Sequence, residues 1–209
     1  MTVPILYSKE IHMESEIEVK FIDVVTDDVR ERLEKAGAIL EHPMRLMRRA
    51  LIEEPHHVVD DSFIRIRDEG DKVTLTYKRR MLPDSTSTID STKEIETTVG
   101  DFEKTVTIFA EAGWQYTTMQ ENKRETWRLD DAEVVIDEWP WIKPYIEIEA
   151  SSEKVVRDVA AKLGFDWKDA KFGGVDVIYE KDFPNMSVRG VIDIREVRFS
   201  DPVPTEFLR

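Results

Sequence analysis

The chain has 209 residues, of which 41% are hydrophobic and 35% are charged, and its formal net charge at pH 7 is −14. This length fits one large domain or one domain with a tail, and the acidic charge disfavours a broad nucleic-acid-binding surface. No apolar run approaches the ~18–20 residues that a membrane-spanning helix needs, and the absence of cysteine excludes disulfides and thiolate chemistry.

The first half of the chain predicts several strands and one helix. The stretch "ESEIEVKF" at 14–21 alternates polar and apolar residues, as a half-buried strand does. A helix at 27–36 is expected to have Thr26 as its N-cap and to end at Gly37. Further strands are predicted at about 45–52, 62–67, 72–80 and 92–99, with a tight "DEGD" turn before the third of these and the polar loop "LPDSTST" after it.

The second half predicts more strands of the same kind and the remaining helices. The pattern favours helices at 101–112, 153–163 and about 175–182, and strands at about 115–129, 132–138 and 145–150. The tail from Pro184 adds one strand or is loosely attached. Because neighbouring strands follow one another through short turns, we expect an α+β fold whose antiparallel sheet is strongly curved or closed, with helices packed on it.

Charged residues of one sign recur at a spacing of two along these strands. Side chains two apart on a strand lie on one face, only ~7 Å from each other, so like charges there repel unless an opposite charge lies between them. The pairs two residues apart are Glu16/Glu18, Arg65/Arg67, Lys78/Arg80, Glu94/Glu96 and Glu147/Glu149. Arg124/Arg128 and Glu133/Asp137 also share a face but lie four residues apart. Each pair taken alone is typical of a solvated sheet face. The set as a whole indicates a charged interior that receives a ligand.

A polyphosphate with a divalent cation is the ligand class that uses both kinds of charge. Arginine and lysine bind phosphate oxygens, and carboxylates bind Mg²⁺ together with substrate phosphates and water. The sequence contains no Walker-type glycine-rich run and no GxGxxG motif. The prediction therefore depends on the strand pattern rather than on a phosphate-binding loop.

The segment "EIEVK", Glu16 to Lys20, resembles the E-x-E-x-K signature of the CYTH superfamily, also called triphosphate tunnel metalloenzymes. The segments "FIRIR", "LTYKRR", "KEIET", "KRETW" and "IDEWPWIKPYIEIEA" resemble the later strands of that family in the same order, over about residues 14 to 182. The likeness is greatest to bacterial and archaeal class IV adenylate cyclase-like proteins. It implies a closed eight-stranded antiparallel β-barrel, a tunnel with helices packed outside, over residues 1–183, followed by a tail at 184–209.

The resemblance also implies roles for individual residues. Metal ligands, for Mg²⁺ or Mn²⁺, would be Glu16, Glu18, Asp137, Glu147 and Glu149. Substrate-binding residues would be Lys20, Arg65, Arg67, Lys78, Arg80, Glu94, Glu96 and Arg124. Of these, Lys20, Lys78 and Arg124 are the expected catalytic residues, and Lys78 is the candidate for moving a proton.

One segment departs from the family pattern. Family hydrolases commonly carry an Asp-x-Tyr-type segment on the second strand, whereas "MRRALIEE" has no tyrosine and Tyr77 is predicted on the outer face. This disfavours a dedicated thiamine triphosphatase and leaves open which group activates the nucleophile. Arg48 and Arg49 have opposite parity, so one of them is expected to point inward, and the pattern does not decide which.

Three functions remain open at this point. The first is a metal-dependent hydrolase of inorganic triphosphate or nucleoside triphosphates, and the second is a class IV-type adenylyl cyclase that converts ATP to cyclic AMP and pyrophosphate. The third is a non-catalytic module that binds polyphosphate or nucleotide. In each case we expect a cytoplasmic protein whose partner is a small-molecule triphosphate such as tripolyphosphate or ATP, with no nucleic-acid or membrane partner. A homodimer is an open expectation.

Overall fold

The computed structural model describes residues 13–81, 91–187 and 189–208 of the chain. The predicted loop "LPDSTST" lies outside these residues. Nine strands are present among them: β1 Glu14–Phe21, β2 Ile39–Ile52, β3 Ser62–Asp68, β4 Val73–Met81, β5 Ser91–Val99, β6 Thr118–Leu129, β7 Ala132–Glu138, β8 Tyr145–Ala150 and β9 Glu196–Val197.

Strands β1 to β8 form a closed ring. Neighbouring strands follow the order β2-β3-β4-β5-β1-β8-β7-β6, and β6 pairs with β2 to close it. All eight of these pairings are antiparallel, and β9 adds to β6 in parallel. The predicted α+β fold with a closed eight-stranded antiparallel barrel is confirmed.

Strand β2 is longer and strand β6 is shorter than the sequence predicts. Strand β2 begins at Ile39 rather than near residue 45, because its first part continues pairing with β6 through register shifts on either side of His42. Pro43 lies within this stretch, and such irregular pairing tolerates a residue that has no N–H to donate. Strand β6 begins at Thr118 rather than at 115.

The described helices of four residues or more outside the tail are α1 Thr26–Ala36, α2 Pro55–Val59, α3 Phe102–Glu111, α4 Glu153–Lys162 and α5 Asp176–Asp182. The prediction that Thr26 is the N-cap of α1 is wrong, because Val25 holds that position without a side-chain hydrogen bond. Asp27 and Asp28 lie in the first turn, where negative charge stabilises a helix. Gly37 ends α1 as predicted, with a left-handed φ of 82° that favours glycine. Helix α2 was not predicted.

The hydrophobic cores lie outside the ring rather than inside it. Helices α1 and α4 cover the outer faces of β1, β6, β7 and β8, where Leu33, Val134, Ile148 and Val159 are buried. Helix α3 covers the outer faces of β2 and β3 through Phe102, which packs near Ile66. Most strands therefore turn their apolar face outward, which leaves the charged face for the interior.

The tail folds onto the barrel at the β6 side. Its buried residues Val191, Val197 and Phe207 cluster with Trp139 and Tyr179. Trp141 has a left-handed φ of 71°, which is unusual for a bulky residue. Its Nε1 donates a 2.7 Å hydrogen bond to the carbonyl of Asp201, so the tail supports this conformation.

The described helices include none with the length and hydrophobicity of a membrane-spanning segment.

Candidate active site

The inward faces of the eight barrel strands enclose a cavity of about 410 Å³. All of the site residues predicted from the sequence line it: Glu16, Glu18, Lys20, Arg65, Arg67, Lys78, Arg80, Glu94, Glu96, Arg124, Asp137, Glu147 and Glu149. The period of two thus brings residues from seven separate strands to one site.

Three glutamates from two neighbouring strands form what we call the carboxylate side of the cavity. The antiparallel register places Glu18 of β1 opposite Glu149 of β8, with Glu147 two residues away on the same face. Each of the three offers one oxygen, and these oxygens lie within 4.8 Å of one another. A set of carboxylate oxygens suits a hard cation, so this cluster could hold a metal ion.

The carboxylates differ in their protonation. Burial, and then the charge of Glu16, raises the pKa of Glu149 well above its usual value. Burial also disfavours the charged form of Glu147, but Lys20 and Arg124 outweigh it and lower its pKa to about 2. Glu149 therefore keeps its proton at pH values at which Glu147 has already lost its own.

Lys20 lies against the carboxylate side as a buried cation. Its Nζ donates to Glu18 Oε1 at 2.6 Å and to the carbonyl of Gly173 at 2.8 Å, and it lies 3.4 Å from Glu147 Oε2. Burial opposes the ammonium form, but Glu147 and Glu18 outweigh it and raise the pKa of Lys20. Lys20 is therefore suited to binding an anion and not to accepting a proton.

Lys78 and Arg80 of β4 lie nearer carboxylates than other cations. The Nζ of Lys78 forms an ion pair with Glu94 and lies 3.7 Å from Glu16 Oε2. Arg80 Nη1 lies 3.5 Å from Asp61 Oδ2. Lys78 thus contacts two carboxylates, and its role in moving a proton stays a prediction.

Asp137 is wholly buried and is engaged by other side chains. Arg124 donates to both of its oxygens, at 2.8 Å from Nε and 2.6 Å from Nη2. Asn122 and the hydroxyl of Tyr145 each donate to it at 3.3 Å. The cluster of three close carboxylates does not include Asp137.

Tyr145 lines the cavity and was missed by the sequence analysis. It precedes Glu147 by two residues on β8, so the same period of two could have identified it. Burial, and then the charge of Asp137, raises the pKa of Tyr145 well above its usual value. Tyr145 is therefore a hydrogen-bond donor at neutral pH.

Three arginines from β2 and β3 form the opposite wall, which we call the arginine side: Arg49, Arg65 and Arg67. Arg65 Nη2 lies 3.3 Å from Thr76 Oγ1 and 3.5 Å from Glu96 Oε2. Arg67 forms no ion pair with any described residue, and the Nε atoms of Arg65 and Arg67 are buried without a hydrogen-bond partner there. Burial, and then the charges of Arg65, Arg124 and Arg49, lowers the pKa of Arg67 well below its usual value.

The structure decides between the two adjacent arginines of β2. Arg49 lines the cavity, and Arg48 lies on the outer face, where its Nη2 is 2.7 Å from Asp68 Oδ2 and 3.0 Å from Glu103 Oε1. Tyr77 does not line the cavity, as predicted, and its ring lies 6.2 Å from that of His57. The inward position on β2 therefore carries a guanidinium.

One mouth of the cavity is lined by the segment that follows α4. Lys171 forms an isolated antiparallel β-bridge with Lys20 through their backbones. Beyond it, the cavity is lined by Gly174, Val175 and Asp176. At Gly174 a Cβ atom would first meet Oδ1 of Asp176, and it would lie 3.2 Å from Nη2 of Arg80. A glycine there allows the backbone to approach the charged wall closely.

Solved structures with a similar fold come from diverse organisms. A protein from Pyrococcus horikoshii is 23% identical, with a TM-score of 0.61 over 75% of this chain and 94% of that one. A candidate adenylate cyclase from Vibrio parahaemolyticus is 9% identical, with a TM-score of 0.67 over 79% and 98%. A candidate adenylyl cyclase from Hippeastrum, which reveals a dominant triphosphatase activity, is 16% identical, with a TM-score of 0.50 over 78% and 91%.

A comparison with curated proteins finds no match to this chain. Residues 14–170, which include all eight barrel strands and α4, match the CYTH domain. Together with the closed charged barrel, this match shows that the chain belongs to the CYTH domain family.

Proposed function

We propose that this protein is a metal-dependent hydrolase of inorganic triphosphate or nucleoside triphosphates. The observation that carries the proposal is that one wall of the cavity has an excess of negative charge and the opposite wall has an excess of positive charge. The carboxylate side holds more negative charge than its lysines neutralise, and on the arginine side Arg49 and Arg67 form no ion pair with a described carboxylate. A triphosphate with a divalent cation supplies both missing charges.

The donor set fits a hard cation. Glu18, Glu147 and Glu149 would hold it, with Glu16 beside them, and Asp137 would serve as the counter-ion of Arg124 rather than as a ligand. When bound, Mg²⁺ or Mn²⁺ supplies Lewis-acid neutralisation of phosphate oxygens. The chain's own cations would neutralise the rest of the triphosphate.

The residues of the chain contribute mainly positioning and charge, which is what phosphoryl transfer requires. In hydrolysis, a water oxygen bonds to the terminal phosphorus while the bridging P–O bond breaks and the diphosphate part leaves. Lys20, Arg65 and Arg67 would bind the phosphate oxygens and stabilise the charge that develops on the leaving group. The Glu16 and Glu94 carboxylates would hold the Lys78 ammonium in place for the same purpose.

Arg124 has a fixed orientation for its part in binding. Burial opposes its charge, but Asp137 and Glu147 outweigh that effect and raise its pKa well above the usual value. The two-point contact with Asp137 fixes the plane of the guanidinium, and its Nη2 lies 3.7 Å from Glu147 Oε1. Arg124 would thus be held beside the carboxylate side, ready to bind a phosphate oxygen.

The deciding experiment incubates purified protein with Mg²⁺ or Mn²⁺ and, separately, tripolyphosphate, ATP and thiamine triphosphate. We expect release of inorganic phosphate from tripolyphosphate or ATP, and loss of that release in the Glu147→Gln variant. Cyclic AMP as the main product from ATP would establish the cyclase instead. Tight tripolyphosphate binding without turnover would establish a binding module. The Hippeastrum relative, with its dominant triphosphatase activity, is a suitable positive control.

A further inference from the structure

Arg49 differs from the other cavity arginines in how it is held. Its Nε donates a 2.8 Å hydrogen bond to Gln120 Oε1, and its guanidinium carbon lies 4.3 Å from the centroid of the Trp139 ring. Its two terminal nitrogens make no hydrogen bond to a described residue. One face and one N–H of the guanidinium are therefore fixed, while the end that suits an anion remains free towards the cavity.

Both supports of Arg49 depend on the tail. Gln120 Nε2 donates to the carbonyl of Val191 at 3.3 Å, and Thr118 on the same strand donates to the carbonyl of Ile194 at 2.6 Å. Trp139, only 3% exposed, packs in the cluster that Val191, Val197 and Phe207 help to form. These tail residues lie beyond residue 170, where the match to the CYTH domain ends.

A half-buried guanidinium that forms no ion pair with a described carboxylate is only partly compensated for its loss of water. Arg49 lies opposite Arg67 in the register of β2 and β3, which adds repulsion between like charges. The tail nevertheless orders Arg49 through two side chains instead of supplying a counter-ion among the described residues. This arrangement suits a residue that is held ready for an anionic ligand.

We propose that Arg49 binds a phosphate group of the substrate and that the tail, acting through Gln120 and Trp139, positions it. The assignment rests on the proposed triphosphate function and adds a fourth guanidinium to Arg65, Arg67 and Arg124. A planar guanidinium with two free nitrogens can make a bidentate contact with phosphate. The tail thereby becomes part of the anion site although its own side chains carry none of the contact.

The test is calorimetric titration of tripolyphosphate into metal-free full-length protein, together with steady-state kinetics with Mg²⁺. We expect Arg49→Gln to weaken binding and raise KM by about tenfold or more, since hydrogen bonds to charged groups are strong. Arg48→Gln is the matched control, because it removes the same charge from the adjacent outward residue, and it should change both values by less than about twofold. Arg49→Lys keeps the positive charge but lacks the planar guanidinium that can donate two parallel hydrogen bonds. It should therefore recover only part of the affinity lost in Arg49→Gln.

Melting temperatures of all variants separate binding effects from unfolding. If Arg49→Gln does not fold, the comparison of Arg49→Lys with wild type decides. Wild-type binding in a folded Arg49 variant would overturn the proposal, as would absence of tripolyphosphate binding to the wild-type protein. If the wild type binds tripolyphosphate through Arg49 but hydrolyses no triphosphate, the proposed function fails and the Arg49 assignment stands.

The positioning role has its own test in a double-mutant cycle. Gln120→Leu should raise KM with little change in kcat, and it should add nothing further when Arg49 is already glutamine. A purely structural role for Gln120 would instead lower stability and leave KM unchanged. Additive effects on KM in the double variant would overturn the claim that Gln120 acts through Arg49.

Discussion

The two walls of the cavity carry opposite charges and relieve the repulsion within them by different means. On the carboxylate side, Lys20 lies between Glu18 and Glu147, and Glu149 can take up a proton because its pKa is raised. On the arginine side, Arg67 has no ion-pair partner among the described residues, and an arginine does not lose its proton at neutral pH. Lys20 and proton uptake by Glu149 therefore reduce the excess negative charge of the carboxylate side without removing it, whereas Arg67 has no equivalent means of losing its positive charge.

The largest expected effect on activity comes from removing a glutamate of the carboxylate side. Glu18→Gln or Glu147→Gln should lower metal-dependent kcat by more than about 100-fold, since losing even an outer-shell partner of a metal costs ~10–100-fold. Phosphate release measured over a range of Mg²⁺ concentrations tests this. Glu138→Gln is the control, because Glu138 lies on the outer face of β7, where it pairs with Lys123 at 3.6 Å. Wild-type turnover in both cavity variants would remove the carboxylate side from the chemistry.

Breaking the arginine side should give a mixed result. Arg67→Gln should raise KM for the triphosphate by about tenfold, through loss of charged hydrogen bonds. The same change should raise the melting temperature by a few degrees, because it removes an unpaired buried cation, and ~1 kcal/mol corresponds to ~2–4 °C in a domain of this size. Calorimetry and kinetics measure the two effects. Arg79→Gln, on the exposed outer face of β4, should show neither; a destabilised Arg67→Gln would contradict the comparison.

The pH dependence of stability should sharpen the contrast. Glu149 has a folded-state pKa above its usual 4.5, so its contribution to stability is complete below pH 4.5 and is lost as the pH rises through the folded-state value. Metal binding needs the deprotonated carboxylate and replaces that proton. We therefore expect Mg²⁺ to raise the melting temperature more at pH 8 than at pH 5. An equal shift at both pH values would contradict this account.

Glu147 should act in the opposite direction at lower pH. Its folded-state pKa of about 2 lies below the usual 4.5, so its contribution is present above pH 4.5 and is lost as the pH falls towards 2. In the Glu147→Gln variant, stability should therefore fall less between pH 5 and pH 2.5 than it does in the wild type. Urea unfolding at the two pH values measures this difference.

The smallest effect is expected at the edge of the arginine side. Glu96 is about one-third exposed, accepts a hydrogen bond from Thr76 at 2.8 Å and lies 3.5 Å from Arg65. Glu96→Gln should lower KM slightly, by less than about fivefold, because exposed ion pairs contribute ~0–1 kcal/mol. A kinetic comparison with wild type tests this, and a large rise in KM would mean that Glu96 binds the metal or substrate itself.

The sequence predicted the charged lining better than it predicted the supports behind it. The period of two placed the predicted site residues on inward faces because most strands have one apolar and one charged side. Strand β2 lacks that contrast: Met47 and Leu51 point inward, while Ala50 and Ile52 are buried outside, so the choice between Arg48 and Arg49 had no local signal.

The alternation of residues along each strand also could not predict contacts between residues far apart in the sequence. Lys20 was correctly placed in the cavity, but its hydrogen bond to the carbonyl of Gly173 depends on a segment far along the chain. The same is true of Gln120 and Val191, whose contact is a tertiary one between β6 and the tail. Nothing in a strand's own residues indicates which distant backbone group will lie beside it.

The pairing that closes the ring has a consequence for how the molecule reaches its native state. It joins Leu51 with Thr118 and Arg45 with Arg124, so segments far apart in the chain must meet before the ring is complete. Pairing between distant segments is slow because loop-closure entropy is lost before contacts are gained. We therefore expect ring closure to be slower than formation of the hairpins between consecutive strands.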